Sequence, residues 1–404
     1  MIRKNLKIYY IRGALYSIAM LFFAGGLTQT FLLEAGVSDH RVSIYVAVMQ
    51  VAECAAMILV SGPLEKRTDL IQLYGRYHLL LLPMALTMII VCFFPGMGAG
   101  AVYTLMMIGG VLTYIAIGFI GILEYKLPYL IINMNEYGSI MAVGTVVTGV
   151  ATLTSSMLIS AVVKGRDFIS VIGYFIIPAA LMVIIVSRMT LDYREVSVNA
   201  AMTASSGKKI NLLNYKPFQL LALPNLLRGF STGTFNLFTT IGYHLGFIDT
   251  VTATYMVTIG NIVIFAVGIF YQKAAKWHKD TLILLIAGFL MLVVMPLAFI
   301  GGNVKFFLCM YVAAFFLKTI FEYISPVAIV PILDYEIVGQ FTAWRLSLYL
   351  AGIALSGVLA IPMVDAMGVI PAMITNGLCF ALSGVAYYVV VKSLLKEKQK
   401  NKSD

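Results

Sequence analysis

The sequence predicts an all-α membrane protein, with twelve transmembrane helices in two pseudo-symmetric six-helix bundles. Three observations predict it. Hydrophobic residues fill 61% of the 404 positions and charged residues 11%, which is too little polar surface to cover a soluble globule of this size. The apolar residues fall into a dozen segments, each long enough to cross a bilayer as a helix. The turns between segments carry their positive charge almost entirely on alternate sides.

Windows of about 19 residues place the first six segments at 11 to 33, 42 to 62, 77 to 95, 99 to 123, 138 to 163 and 168 to 187. The second six lie at 219 to 247, 251 to 271, 281 to 301, 305 to 329, 338 to 362 and 369 to 391. Helices rather than strands are expected, because lipid offers no partner to an open strand edge. A lipid-facing barrel would show short alternating stretches, and the sequence has none.

The net charge of +10 takes its meaning from its location. Arg3, Lys4, Lys7 and Arg12 precede or open the first segment, and Lys66, Arg67 and Arg76 follow the second. Arg188, Arg194, Lys208, Lys209 and Lys216 occupy the middle, Lys273, Lys276 and Lys279 follow the eighth segment, and Lys392, Lys396, Lys398, Lys400 and Lys402 form the tail. The opposite turns hold Arg41, Lys164, Arg166 and Lys305. The positive-inside rule then puts both termini and the middle loop in the cytoplasm, in a multi-pass protein of the cytoplasmic membrane. This basic balance faces anionic lipid and not nucleic acid.

The first apolar run is too long for a signal-peptide core and lacks a small-residue cleavage site, so it reads as a retained helix. Cys54, Cys92, Cys309 and Cys379 are scattered singly within apolar segments, as reduced packing residues are.

The longest polar stretch, Arg188 to Lys216, contains an Ala/Ser/Gly-rich piece and has six segments on either side. The expected organisation is an N-terminal bundle over 1–188, a linker over 189–216, a C-terminal bundle over 217–393 and a basic tail over 394–404. The halves echo one another. Gly36, Asp39 and Tyr45 match Gly246, Asp249 and Tyr255 at one constant offset, which also brings Lys66 onto Lys276. Glu124, Tyr125 and Pro128 match Glu322, Tyr323 and Pro326, and Arg12-Gly13 matches Arg228-Gly229. Duplication explains all three.

In this organisation the chain resembles the major facilitator superfamily of secondary transporters over essentially its whole length. The resemblance implies a central cavity lined by segments 1, 4, 7 and 10 and opened alternately to either side. The superfamily's signature after segment 2 is degenerate here. Gly62-Pro63-Leu64-Glu65-Lys66-Arg67 keeps the Gly, Leu and Arg but places Lys66 at the acidic position, with Gly75-Arg76 following. Asp334-Tyr335-Glu336 is similar to the acidic motif of the glycoside-pentoside-hexuronide cation symporters. That branch carries paired aspartates on segment 2, where this chain has Glu53 alone. The Gly-Pro signature of many drug/proton antiporters on segment 5 is missing, since the run from Gly138 through Gly144 to Gly149 has no proline.

Glu53 is the foremost coupling residue, because it lies 11 residues into its segment and hence close to the bilayer midplane. A charge at a helix centre costs about 2.5–3.5 kcal/mol on insertion scales. A carboxyl there can load a proton on one side and release it on the other; the alternative is a structural hydrogen bond, helped by Gln50 one turn away. Lys318 and Glu322, four apart on segment 10, are either an intrahelical pair or, with Glu124 and the tyrosines Tyr125 and Tyr323, part of a cytoplasmic gate. Arg228 lies either well inside segment 7, as a cavity residue, or in an interfacial lead-in, as a snorkelling anchor. Arg345 opens segment 11 near the cytoplasm, where an anchor is expected. Glu53 and Glu322 thus balance Arg228 and Lys318, and the interior does not demand a charged cargo. Tyr16 and Gln29 on segment 1, and Asn236 and Thr240 on segment 7, are candidates for hydrogen bonds to substrate.

Nothing in the sequence points to an enzyme, a cofactor or a metal. His40, His78, His244 and His278 are far apart, and no phosphate-binding glycine loop is present. Energy for uphill movement must then come from an ion gradient. The expected function is a monomeric secondary transporter that moves a small organic solute, sugar-like cargo among the options, by alternating access with proton symport. A drug or metabolite exporter of the same fold and a non-transporting receptor or assembly protein are the alternatives.

Overall fold

Backbone groups inside a bilayer can satisfy only one another, and the described chain is helical throughout its apolar segments, with no strand among the described residues. The computed structural model describes residues 2–65, 69–131, 137–189, 191, 214–273, 281–329, 332 and 338–403. Most of the expected linker therefore lies outside the described residues, as do Lys66, Arg67 and Asp334-Tyr335-Glu336. The side chain of Tyr125 does too.

The first span is two helices, α1 (Ile2–Phe23) and α2 (Gly26–Glu34), and α3 (Asp39–Glu65) is the second. The third is α4 (Leu70–Leu79) followed by α5 (Leu82–Phe93), and α6 (Ala99–Ile131), α7 (Tyr137–Val163) and α8 (Phe168–Arg188) complete the first half. The second half contains α9 (Lys216–Asn236), α10 (Phe238–His244), α11 (Thr250–Lys273) and α12 (Leu282–Ile300). It ends with α13 (Val304–Ile329), α14 (Val338–Met367) and α15 (Val369–Ser403).

Among the described residues, eleven stretches are long and apolar enough to cross a membrane. The twelfth expected segment forms as α9 and α10, but Asn225, Arg228, Ser231, Thr232, Thr234 and Asn236 make it markedly more polar than the others. The breaks in the spans have local causes. Gly25 takes φ 84° between α1 and α2, a conformation that a side chain would strain. The Thr28 hydroxyl donates to the Phe22 carbonyl freed by this break, at 3.0 Å. Between α4 and α5, Pro83 stands at the first turn of the new helix, where its missing N–H is tolerated.

The chain divides into two compact units, Met1–Ser206 with Phe238–Ile269, and Gly207–Leu237 with Phe270–Asp404. In the first unit, α1 packs on α7 and α8, and the third span packs through α5 on α6 and α8. In the second, α9 packs on α14 and α15, and α12 on α13 and α15. In span order, contacts of spans 1–5, 1–6, 3–4 and 3–6 recur as 7–11, 7–12, 9–10 and 9–12, so the sequence echo has a counterpart in packing. The turn glycines of that echo behave alike, Gly36 at φ 80° and Gly246 at φ 64°.

Helix ends are held by aspartates. Asp167 accepts from the Ser170 N–H at 2.8 Å to cap α8, and Asp249 accepts from the Thr252 N–H at 2.8 Å where α11 begins. Hydrogen bonds from the Thr252 side chain and backbone hold the Asp249 carboxyl below its usual range, so it stays ionised at ordinary pH. Asp167→Ala is expected to destabilise the protein by about 1 kcal/mol. Thermal unfolding in detergent measures this, and an unchanged midpoint would mean that water replaces the cap.

Candidate functional site

In the first unit the site is built on Arg12, which α1 carries into the bundle until it is 2% exposed. A buried guanidinium needs acceptors or π faces. Arg12 lies 3.9 Å over the Tyr74 ring and donates through Nη1 to the Met189 carbonyl at 3.3 Å. The Tyr74 hydroxyl in turn donates to Glu124 Oε1 at 2.9 Å. His78, one turn further along the third span, places Nδ1 2.7 Å from the Tyr74 carbonyl. A carbonyl only accepts, so that nitrogen carries the proton, and the buried Nε2 is left without a partner. Tyr16 packs edge-on against His78, with ring centroids 5.2 Å apart.

Glu53 stands next to the midpoint of α3. There α3 and α6 approach closely, because a Cβ on Gly118 would sit 2.7 Å from the Glu53 carbonyl oxygen. The half-buried Glu53 side chain interacts electrostatically with Tyr16 and Tyr114. Among the described residues no cation or hydrogen-bond donor pairs with its carboxylate. At the far end of the same unit, the Thr240 hydroxyl donates to Gln29 Oε1 at 2.9 Å, both residues being buried. Glu34 accepts from Tyr243 at 3.3 Å and from Thr250. His244 Nδ1 lies 2.5 Å from Asp39 Oδ2, and Ser160 shares a hydrogen bond of 2.9 Å with Thr258. These contacts tie residues 238–269 to the first, second and fifth spans.

The second unit repeats the first unit's device with different helices. Arg228 lies 4.3 Å over the Tyr349 ring and 5.7 Å over Phe321, and its Nη1 donates to Ser325 Oγ at 2.6 Å. The Tyr349 hydroxyl donates to Glu322 Oε1 at 2.9 Å. Lys318 Nζ is 3.6 Å from the same oxygen and lies over the Phe315 ring at 5.1 Å. Among the described residues, an arginine, a tyrosine beneath it and a glutamate on the tyrosine hydroxyl thus occur once in each unit.

Among the sequence candidates, Glu322, Lys318 and Arg228 come together in this second network, and Gln29 and Thr240 bond to one another. Tyr16 and Glu53 are neighbours, Glu124 belongs to the Arg12 network, Tyr323 is half-buried on α13, and Asn236 is exposed at the end of α9. Arg228 is 3% exposed and twelve residues into its helix. Arg345, expected as an anchor, is 2% exposed. Sequence reading missed Tyr74, His78 and Tyr349, and it treated Arg12 only as a topogenic charge. The Arg-Gly echo was the one available signal for Arg12.

No protein-family model and no curated protein matches the chain. A solved structure described as a D-xylose-proton symporter is similar over 97% of this chain and 96% of its own, with a TM-score of 0.65 and 13% identity. Near-complete coverage of both chains, with helices throughout and matching bundle packing, gives this protein the major facilitator fold.

Proposed function

We propose that this chain is a secondary transporter that moves a small organic solute by alternating access, with protons as the coupling ion. The observation that carries the reading is Glu53: a carboxyl at mid-span, half-buried, with no described cation or donor on its oxygens. Desolvation makes a charge costly there, and a group that is comfortable only when neutral on one side and charged on the other can link proton movement to solute movement. The fold supports the reading, since a structure similar to this chain is named as a D-xylose-proton symporter.

In the same reading both termini are cytoplasmic, residues 1–188 and 217–393 are the two repeats, and Glu124 and Glu322 act as gate residues, each held in its own bundle by a tyrosine. The cargo is met by polar groups near Tyr16 and Asn236, while Gln29 and Thr240 are released from one another when the far end opens.

The test is a thermal-shift screen of metabolites on purified protein, since a ligand of the folded state stabilises it by mass action, followed by uptake of each hit into proteoliposomes. At least one hit is expected to accumulate when the outside is made acidic, and a protonophore is expected to abolish that accumulation. Equilibration without accumulation would remove the coupling, and binding without any flux would remove transport.

A further inference from the structure

Around the Arg228 network of the second unit, the positive side chains on α9, α13 and α14 are Arg228, Lys318 and Arg345, accompanied by the negative Glu322, while Lys305 and Asp365 lie exposed towards the other ends of α13 and α14. Lys318 lies beside Glu322 at 3.6 Å, which neutralises that pair. Two guanidinium charges remain, 3% and 2% exposed, and neither has a carboxylate partner among the described residues. Their donors are not used up. Arg228 bonds a serine and covers two rings, yet its Nε has no partner, and Nε and Nη1 of Arg345 are also buried without one. Removing one ion from water without a counter-charge costs several kcal/mol, so two such groups in one bundle need an account.

The two arginines belong to one locality. Arg345 and Tyr349 are four residues apart on α14 and share a face, about 6 Å apart along the axis, and Arg228 lies on the Tyr349 ring. Glu322 and Lys318 carry side-chain exposures of 38% and 13%. Charged surface within a membrane-spanning helix is stable against water and not against lipid, which makes the Glu322 side of this locality the way in for a solute. Guanidinium forks match the paired oxygens of a carboxylate or phosphate.

From this arrangement we infer that the second unit holds an oxyanion site on Arg228 and Arg345, and that the transported solute carries a carboxylate or phosphate group there. The inference rests on the transport reading for the word substrate, but the site stands or falls separately.

The test titrates purified protein in neutral detergent with inorganic phosphate and with succinate, against sodium chloride at equal ionic strength, following the unfolding temperature. Wild type is expected to be stabilised by at least one of the two oxyanions and not by chloride. Arg345→Gln and Arg228→Lys are each expected to weaken that binding about tenfold or more, while Asp39→Asn, at the far end of the first unit, leaves it unchanged. Should either arginine variant fail to fold, the other still reads the site. No oxyanion effect in wild type, or an effect that survives both variants, overturns the site. Protection by added phosphatidylglycerol with none from the soluble anions makes it a lipid-headgroup site and overturns the substrate assignment. Oxyanion binding without flux in proteoliposomes keeps the site and removes the transport reading. Flux confined to neutral solutes keeps the transport reading and overturns the substrate assignment.

Discussion

Gly229→Val is expected to prevent stable folding of the second unit. A Cβ built on Gly229 lies 2.0 Å from the Tyr349 carbonyl oxygen and 2.8 Å from its carbon, and one on Gly352 lies 2.2 Å from the Leu226 oxygen. These obstacles are backbone atoms, so no rotamer change relieves them, and α9 and α14 would have to separate. The same seam places Arg228 over Tyr349, so separation also strands a buried guanidinium. Even Gly229→Ala should cost about 3 kcal/mol or more, which at about 2–4 °C per kcal/mol is a fall of roughly 6–12 °C in unfolding temperature. The valine variant should fail to give a monodisperse peak in detergent. Gly100→Ala is the control, since nothing lies within 4 Å of its would-be Cβ, and it should melt with wild type. A valine variant that melts with wild type would show that the α9–α14 seam is looser than this.

How much of this was legible in the sequence depends on the range of each interaction. Spans and turns are local: they follow from runs of apolar residues, and so the fold class could be read directly. Glu53 stands out because one carboxyl inside a long apolar run is conspicuous. The echo of Arg12-Gly13 with Arg228-Gly229 was visible too, but its purpose was not. The tyrosine beneath each arginine comes from the third span in one unit, Tyr74, and from the eleventh in the other, Tyr349. Those spans are not repeat equivalents, so no sequence offset can align them, and only packing brings each tyrosine to its arginine. The burial of Arg345, 2% exposed, is illegible for a related reason. Its distance from the segment start suggested a headgroup anchor, whereas its burial is decided by the helices around α14, which one segment's hydropathy does not describe.

Glu53→Gln is expected to separate solute movement from the proton gradient without stopping solute movement. Glutamine keeps nearly the shape of the protonated acid but cannot lose a proton, so the side chain stays in the form that suits a desolvated mid-span position. The close approach of α3 to α6 at Gly118 involves the Glu53 backbone, and the substitution leaves it intact. One pH unit stores about 1.4 kcal/mol per proton, so a one-to-one symporter can accumulate its solute about tenfold across such a gradient. The variant should bring the inside-to-outside ratio to about one, while exchange of labelled for unlabelled solute continues at a rate near that of wild type. Loss of exchange together with accumulation would assign Glu53 to solute binding or to the conformational change. Accumulation that persists unchanged would move the proton path elsewhere. Glu124 is the next carboxyl on such a path within the first unit, because Tyr74 connects it to Arg12 and Tyr16 interacts with both Glu53 and Glu124.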